Sequence, residues 1–118
     1  MKFQTKLKTI LGETFRAPGS GSYVVVTPAG EIVLRQHGVY EGIDLSGVDL
    51  SGLDLSGITL KQVKLANANL SGTNLAGADL CGSVLSGAIV SGTKFDDAKL
   101  ENVSLDGLRF TIPPTGIA

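Results

Sequence analysis

The side chains that most often do chemistry in proteins are few in this sequence. His37 is the only histidine and Cys81 is the only cysteine. A zinc site needs three or four convergent ligands, and a reactive cysteine needs a neighbouring base or cationic cluster. Neither residue has such neighbours along the sequence. We therefore predict no catalytic residue, no metal site and no cofactor-binding site.

A series of carboxylates, Asp44, Asp49 and Asp54, recurs every five residues. Acid–base catalysis requires such groups to converge on one reacting atom. If the chain turns a corner every five residues, these three side chains point outward on different faces and cannot converge. The run Gly19–Ser22 is rich in glycine, but it lacks the lysine of a phosphate-binding loop. The sequence thus predicts a protein that is not an enzyme.

The composition limits what can position these residues. The chain has 118 residues with 42% apolar and only 5% aromatic residues, no Trp, and 16 Gly. A core must therefore be built from Leu, Ile, Val and Ala in one domain, with or without an appendage. The formal charge of −1 lacks the basic excess of a nucleic-acid-binding protein. One cysteine excludes an intramolecular disulfide and is compatible with a reducing compartment.

A period of five residues dominates the sequence from Ile43 to Ile112. On an α-helix, five residues advance by about 500°, so the repeated leucines would form no stripe. On a strand, successive leucines would point to opposite faces. A chain that turns after each block of five, with Gly permitting the turn, directs every central residue to one axis. The predicted structural core is the third residue of each block: Leu45, Leu50, Leu55, Leu60, Leu65, Leu70, Leu75, Leu80, Leu85, Val90, Phe95, Leu100, Leu105 and Phe110.

Two blocks, Ala68–Gly72 (ANLSG) and Ala78–Gly82 (ADLCG), carry the clearest form of this pattern. Residues 43–112 resemble the pentapeptide-repeat family, whose blocks read Ala, Asp or Asn, Leu and two variable residues. The resemblance implies an all-β fold, a right-handed quadrilateral β-helix with four blocks per coil. Residues 113–118 would then be a C-terminal tail.

Residues twenty apart should stack on the outside of such a coil. This stacking predicts opposite-charge pairs between Asp44 and Lys64 and between Asp79 and Lys99. Val84 and Ile89 fall at positions expected to face water, so they are either a possible interaction surface or incidental surface apolar residues. At the C-terminal end Leu108, Phe110 and Ile112 are large and apolar. Two following prolines should stop strand pairing, and we expect this end to dock onto a partner or a second copy.

Residues 1–42 do not repeat. Leu7, Ile10 and Leu11 indicate a short helix or an arm. Residues 22–27 and 31–36 have strand composition and are separated by Pro28-Ala29-Gly30, which predicts a β-hairpin that caps the coil. The lysines of Met1–Phe15 are not followed by an apolar run, so we expect no secretion by a signal peptide. No segment is apolar enough to predict a membrane span.

Residues 14–34 also resemble a module near the tips of phage tail-fibre proteins, in which a Phe-x-Ala-Pro-Gly-x-Gly-x-Tyr stretch precedes a Val-rich strand. The matching residues are Phe15, Ala17, Pro18, Gly19, Gly21 and Tyr23. This second resemblance implies a protein of a virion or a phage.

These observations predict a structural or protein-interaction module, a rigid β-helical peg that is part of a phage virion as a decoration or tail-associated protein. The expected partners are other proteins, either virion proteins or a second copy bound through the coil ends, with no nucleic acid and no membrane. The expected location is the cytoplasm or the virion. The family resemblance offers an alternative, a topoisomerase-binding protein that imitates DNA, but that role needs a long acidic rod. Here eight acidic and five basic residues share the repeats.

Overall fold

The computed structural model describes residues 14–16 and 22–117, which form an all-β structure without a helix. The strands are β1 (Thr14–Arg16), β2 (Tyr23–Thr27), β3 (Gly30–Leu34), β4 (Val39–Glu41) and β5 (Thr59–Lys61). The side chains of Leu7, Ile10 and Leu11, for which a helix or arm is predicted, lie outside the described residues.

Parallel pairing at a fixed offset organises the remainder of the chain. β4 pairs with β5 in register Val39↔Thr59, and ten isolated bridges, from Asp44↔Lys64 to Ile89↔Arg109, join residues twenty apart. One coil therefore contains four blocks of five residues. Each coil is held by short backbone bonds to the next, such as Leu50 N–H to Asn69 O at 2.8 Å. The chain is a β-helix.

The backbone conformation at the corners explains why the fifth residue of most blocks is glycine. The glycines there adopt φ between 65° and 73°, the left-handed region that residues with a Cβ rarely enter. Where the corner is not glycine, the chain uses Gln62, Asn67, Asp97 and Asn102 with φ from 55° to 62°. Asn and Asp tolerate this conformation better than most residues because their short polar side chains bond locally. The corners of these blocks therefore have the same left-handed backbone conformation without glycine.

The axis of the coil is filled by the first and third residues of each block. The third residues from Leu45 to Phe95 are buried, and the first residues become small where the coils are most regular, as at Ala68, Ala78 and Ala88. The polar first residues Thr73 and Thr93 are also buried, and each hydroxyl donates to a carbonyl of the preceding coil, that of Thr73 to Leu50 O at 2.7 Å.

Ser83 breaks this rule, because its buried hydroxyl has no hydrogen-bond partner. An unpaired buried hydroxyl costs about 1–3 kcal/mol. We expect Ser83→Ala to raise the free energy of unfolding by about 1 kcal/mol, measured by urea denaturation. The matched variant Thr73→Ala should lower it, because it removes a satisfied hydroxyl and a buried methyl group. Equal effects of the two variants would contradict the assignment.

The predicted hairpin is present. β2 and β3 pair antiparallel around the turn at Pro28-Ala29, and β1 adds a third strand, which the sequence analysis did not predict, on the far side of β2. Val25 and Leu34 are fully buried and share one hydrophobic core with the leucines of the coils. Asp54 N–H donates to Tyr23 Oη at 3.3 Å. The small sheet therefore covers the N-terminal end of the coil.

Both ends of the coil differ from the predicted boundaries. Pairing of β4 places the first side of the coil at Val39–Glu41, before Ile43. At the other end, pairing does not stop at Pro113-Pro114, because Thr115 bridges Lys94 at an offset of twenty-one residues. One extra residue at the prolines shifts the register of pairing by one. Beyond this shift, Phe95 N–H donates to Thr115 O at 2.8 Å. Ile117 packs against the core. Residues 113–117 thus form another side of the coil rather than a free tail.

Candidate interaction surfaces

The predicted core residues lie together along the axis, with a gradient toward the C-terminal end. Those from Leu45 to Phe95 are buried, while Leu100 and Leu105 are half-buried. Phe110 is 50% exposed, so its assignment to the core is wrong. The exposure follows from the position of Phe110 in the last layer of the coil. Thr115 and Gly116 lie above Phe95, whereas no described residue covers Phe110.

The predicted interaction residues form two groups. Leu108 (half-buried), Phe110 and Ile112 (63% exposed) lie at the C-terminal end of the coil. Val84 and Ile89 are half-buried in the wall one coil below, paired with Ser104 and Arg109. The second group is thus shielded by its neighbours and offers less apolar surface than the first.

Two exposed apolar residues near the hairpin were not predicted. Val33 is 42% exposed and Val39 is 76% exposed. Val39 occupies the outward position of a block that the sequence analysis placed outside the repeats. Reading the period one block further toward the N-terminus would have identified it.

The end of the coil also exposes unpaired backbone. In the coil below, Leu85 N–H donates to Ser104 O and Val90 N–H donates to Arg109 O, both at 2.8 Å. The equivalent N–H groups of Leu105 and Phe110 make no hydrogen bond to any part of the chain that the structure describes. In the part of the chain that the structure describes, the C-terminal end of the coil therefore combines exposed apolar side chains with unpaired backbone N–H groups.

On the long faces, the acidic side chains are engaged in local turns. The Oδ1 atoms of Asp44, Asp49 and Asp54 each accept the backbone N–H two residues later, at 3.0 to 3.3 Å. The hydrogen bonds from Ser46 hold the pKa of Asp44 below its usual value. Because these side chains stabilise their own corners, this carboxylate series is structural.

One face carries a shallow groove of about 470 Å³, lined by Lys61, Gln62, Asp79, Cys81, Gly82, Lys99, Glu101 and Asn102. The ion pair of Asp79 is made by Lys61 at 3.7 Å rather than by the predicted Lys99. Hydrogen bonds from Cys81 lower the pKa of Asp79, and the positive charges of Lys61 and Lys99 add to this effect. The negative charge of Asp79 is therefore balanced by the lysines of this groove.

Cys81 lies between two carboxylates, which disfavour the thiolate form of its side chain. Its Sγ donates to Glu101 Oε1 at 3.3 Å, and its N–H donates to Asp79 Oδ1 at 3.1 Å. Hydrogen bonding of the thiol itself to the Asp79 carboxylate, together with partial burial and the carboxylate of Glu101, raises the thiol pKa from 9.0 to about 11. Since the thiolate is the nucleophile, alkylation at pH 8 should be about 100-fold slower than for an unperturbed thiol.

The test is a pH–rate profile for iodoacetamide. Glu101→Gln should shift the midpoint to lower pH and speed the reaction, because one negative charge near the thiolate is removed. Asp106→Asn removes a carboxylate that does not line the groove and should change neither quantity. A profile with an ordinary cysteine midpoint would contradict the assignment.

Among residues 14–16 and 22–117, no group of three or more His, Cys, Asp and Glu side chains could hold a metal ion. His37 lies at a corner with φ of 60°, against Gly57. No helix in this part of the chain is long and apolar enough to cross a membrane.

The stacked five-residue turns define the chain as a β-helical repeat protein. Residues 64–102 match the family model of pentapeptide repeats, in eight copies. This segment therefore consists of pentapeptide repeats, as the sequence predicts, and the fold is a right-handed β-helix.

The solved structures that are similar to it include two pentapeptide repeat proteins. The first is a pentapeptide repeat protein from the Arabidopsis thaliana thylakoid lumen, with 30% identity and a TM-score of 0.55 over 64% of this chain. This chain spans only 55% of the length of that protein. The second is a pentapeptide repeat protein from Nostoc, with 26% identity and a TM-score of 0.59, covering 65% of this chain and 81% of that one. No curated protein sequence matches the chain.

Proposed function

We propose that this protein is a non-enzymatic interaction module, a rigid four-sided β-helical peg that binds other proteins through its exposed apolar end. The four-sided form is supported by the offset of twenty residues between blocks of five. The observation that carries the function is the location of apolar exposure. In the described part of the chain, the most exposed large hydrophobic residues are Val33, Val39, Phe110 and Ile112, all near the two ends of the coil.

The long faces offer less to a partner. Their acidic side chains cap the corners, and the groove around Asp79 pairs its own charges. Such surfaces contribute little binding energy, because each contact would first have to break a local hydrogen bond. The end with Phe110 and Ile112 requires no such exchange, since these two side chains are exposed and the N–H groups of Leu105 and Phe110 have no partner among the residues that the structure describes.

A virion is the setting that the sequence favours, with the chain as a decoration or tail-associated protein; the location would then be the virion or the cytoplasm. The support for this setting is the resemblance of residues 14–34 to a tail-fibre module. The DNA-mimic alternative gains no support from the charges, because Lys61 and Lys99 flank the acidic Asp79 in the middle coils.

The function is tested by affinity capture from the source of the protein with three immobilised chains: wild type, Phe110→Glu and Val39→Glu. Proteins bound through the C-terminal end should be retained by wild type and by Val39→Glu and be lost with Phe110→Glu. In the virion setting, the retained proteins should be structural proteins of a virus particle. Retention of the same proteins by all three chains would contradict the proposal.

A further inference from the structure

We infer that the open part of the N-terminal end binds an extended basic segment of another protein, which adds a strand beside β4. This inference goes beyond the proposed function, because it concerns the opposite end of the coil. The surface consists of Val39, Glu41 and Asp44, all exposed, and is called the β4 edge below. Val39 and Glu41 lie in β4, and Asp44 lies on the next side of the coil, after the corner at Gly42.

The small sheet of β1, β2 and β3 leaves the β4 edge uncovered. In the later coils, the second residue of each block donates its N–H to the coil before it, as Lys64 N–H does to Ile43 O at 3.0 Å. No coil precedes the first one in the described chain. Asp54 N–H donates instead to Tyr23 Oη of the sheet, at 3.3 Å, whereas Asp44 N–H makes no hydrogen bond to any residue that the structure describes. The backbone at Asp44 is therefore open to pairing with another strand.

Apolar exposure is greatest on the same edge. Val39 is 76% exposed, more than any other large hydrophobic residue that the structure describes. Its side chain points to the same side as that of Glu41, because residues two apart on a strand share a face. Tyr40 donates its hydroxyl to Val33 O at 2.7 Å, which holds the exposed Val33 close to β4. An added strand would cover Val39 and remove this apolar surface from water.

The charge of the first coil determines the chemistry of the partner. Residues 38–57 contain four acidic residues and no Lys or Arg: Glu41, Asp44, Asp49 and Asp54. The lysine in register with Glu41 is Lys61, but its ammonium group lies 3.7 Å from Asp79 Oδ2 in the next coil. A cationic segment would relieve the repulsion within the first coil, whereas an acidic segment would add to it. The β4 edge thus favours a basic partner.

The coil itself shows the spacing that the partner needs. Three residues of the second coil pair in parallel register with the β4 edge: Thr59, Lys61 and Lys64. A parallel strand on the open side of the first coil would stack in the same way. It should carry an apolar residue opposite Val39, and Lys or Arg two and five residues later, opposite Glu41 and Asp44. The partner is therefore defined by a short pattern of residues.

The experiment titrates the full chain with a short synthetic peptide and measures binding by calorimetry. The probe peptide has Val, followed by Lys two and five residues later, in a background of Ser and Thr. Because a free peptide loses conformational freedom on binding, we expect a Kd of about 100 μM. A control peptide of the same composition, with its two lysines adjacent, should bind about tenfold more weakly, because it cannot contact both carboxylates.

Charge exchange tests the register. Asp44→Lys should weaken binding of the probe peptide about tenfold, and Asp106→Lys, the same change at an exposed residue of the last coil, should leave it unchanged. A peptide with Glu in place of its second Lys should bind the Asp44→Lys variant and not the wild type. Circular dichroism checks that each variant remains folded, since Asp44 also accepts the N–H of Ser46.

Amide hydrogen exchange, followed by NMR, tests the added strand. Saturation with the probe peptide should slow the exchange of Asp44 N–H and leave that of Asp54, which already donates to Tyr23, unchanged. The inference would be overturned by an absence of binding at about 1 mM peptide. Equal binding of the two peptides, equal weakening by Asp44→Lys and Asp106→Lys, or unchanged exchange at Asp44 would also overturn it. None of these outcomes involves Phe110, so the proposed function stands or fails separately.

Discussion

Leu75→Lys should unfold the protein. Leu75 is fully buried, and the axis of the coil places Leu55 below it and Phe95 above it. A lysine there would bring a charge to a site with no acceptor, at a cost of several kcal/mol, and would also remove the packing of the leucine. Small domains are stable by only about 5–15 kcal/mol, so this one change removes most of the free energy of unfolding. Thermal and urea unfolding followed by circular dichroism would measure the loss.

The control is Ser71→Lys in the same coil. Ser71 lies on the wall, half-buried, and only its backbone is bonded to the neighbouring coil and to Asn69. A lysine can extend from this position into water, so we expect a change below about 1 kcal/mol. If both variants unfolded at the same urea concentration, Leu75 would not face the axis.

Phe95→Ala should produce the second largest effect, a loss of about 3–5 kcal/mol in the free energy of unfolding. Phe95 is fully buried where most blocks have Leu. The backbone of Gly116 lies close to the backbone of Phe95 and Asp96 in the next layer. Because the ring is fully buried, alanine at this position would leave a cavity in the core.

Phe110→Ala is the matched control, because it removes the same side chain from the same position of a block. Phe110 is half exposed, so its truncation should cost about 1 kcal/mol in the monomer. Both variants should be compared by urea denaturation at concentrations where the chain is monomeric. A loss for Phe110→Ala as large as that for Phe95→Ala would mean that Phe110 is covered even in the monomer.

The repeating part of the structure could be predicted from the sequence because the signal is redundant. Eleven of the fourteen blocks from Ile43 onward have Leu at the inward third position, and the other three have Val or Phe. The offset of twenty residues recurs at ten bridges. The hairpin at Pro28-Ala29 was also predictable, because turn residues separate two Val- and Ile-rich runs. In both cases local preference and long-range packing favour the same structure.

What the sequence did not predict depends on single residues at the ends. The period alone gives no reason for the extra residue at Pro113-Pro114, because the bulge depends on which N–H groups the prolines lack. The exposure of Phe110 depends on whether another layer covers it. The pairing of Asp79 with Lys61 depends on the reach of a side chain, whereas stacking alone suggested Lys99. Such details are decided by geometry between coils rather than by residue type.

The offset of twenty residues also determines which changes of length the molecule can absorb. Inserting or deleting twenty residues in the middle coils would add or remove one coil and leave the residues beyond it on the same sides. A change of five would keep every leucine on the axis but rotate everything beyond it by one side, separating Asp79 from the neighbours that line its groove. An insertion or deletion of one residue would move the leucines away from the axis unless a bulge restores the register, as the extra residue at Pro113-Pro114 does. The length of this fold can therefore change by whole coils without other effect, whereas a change by single blocks alters the orientation of one end relative to the other.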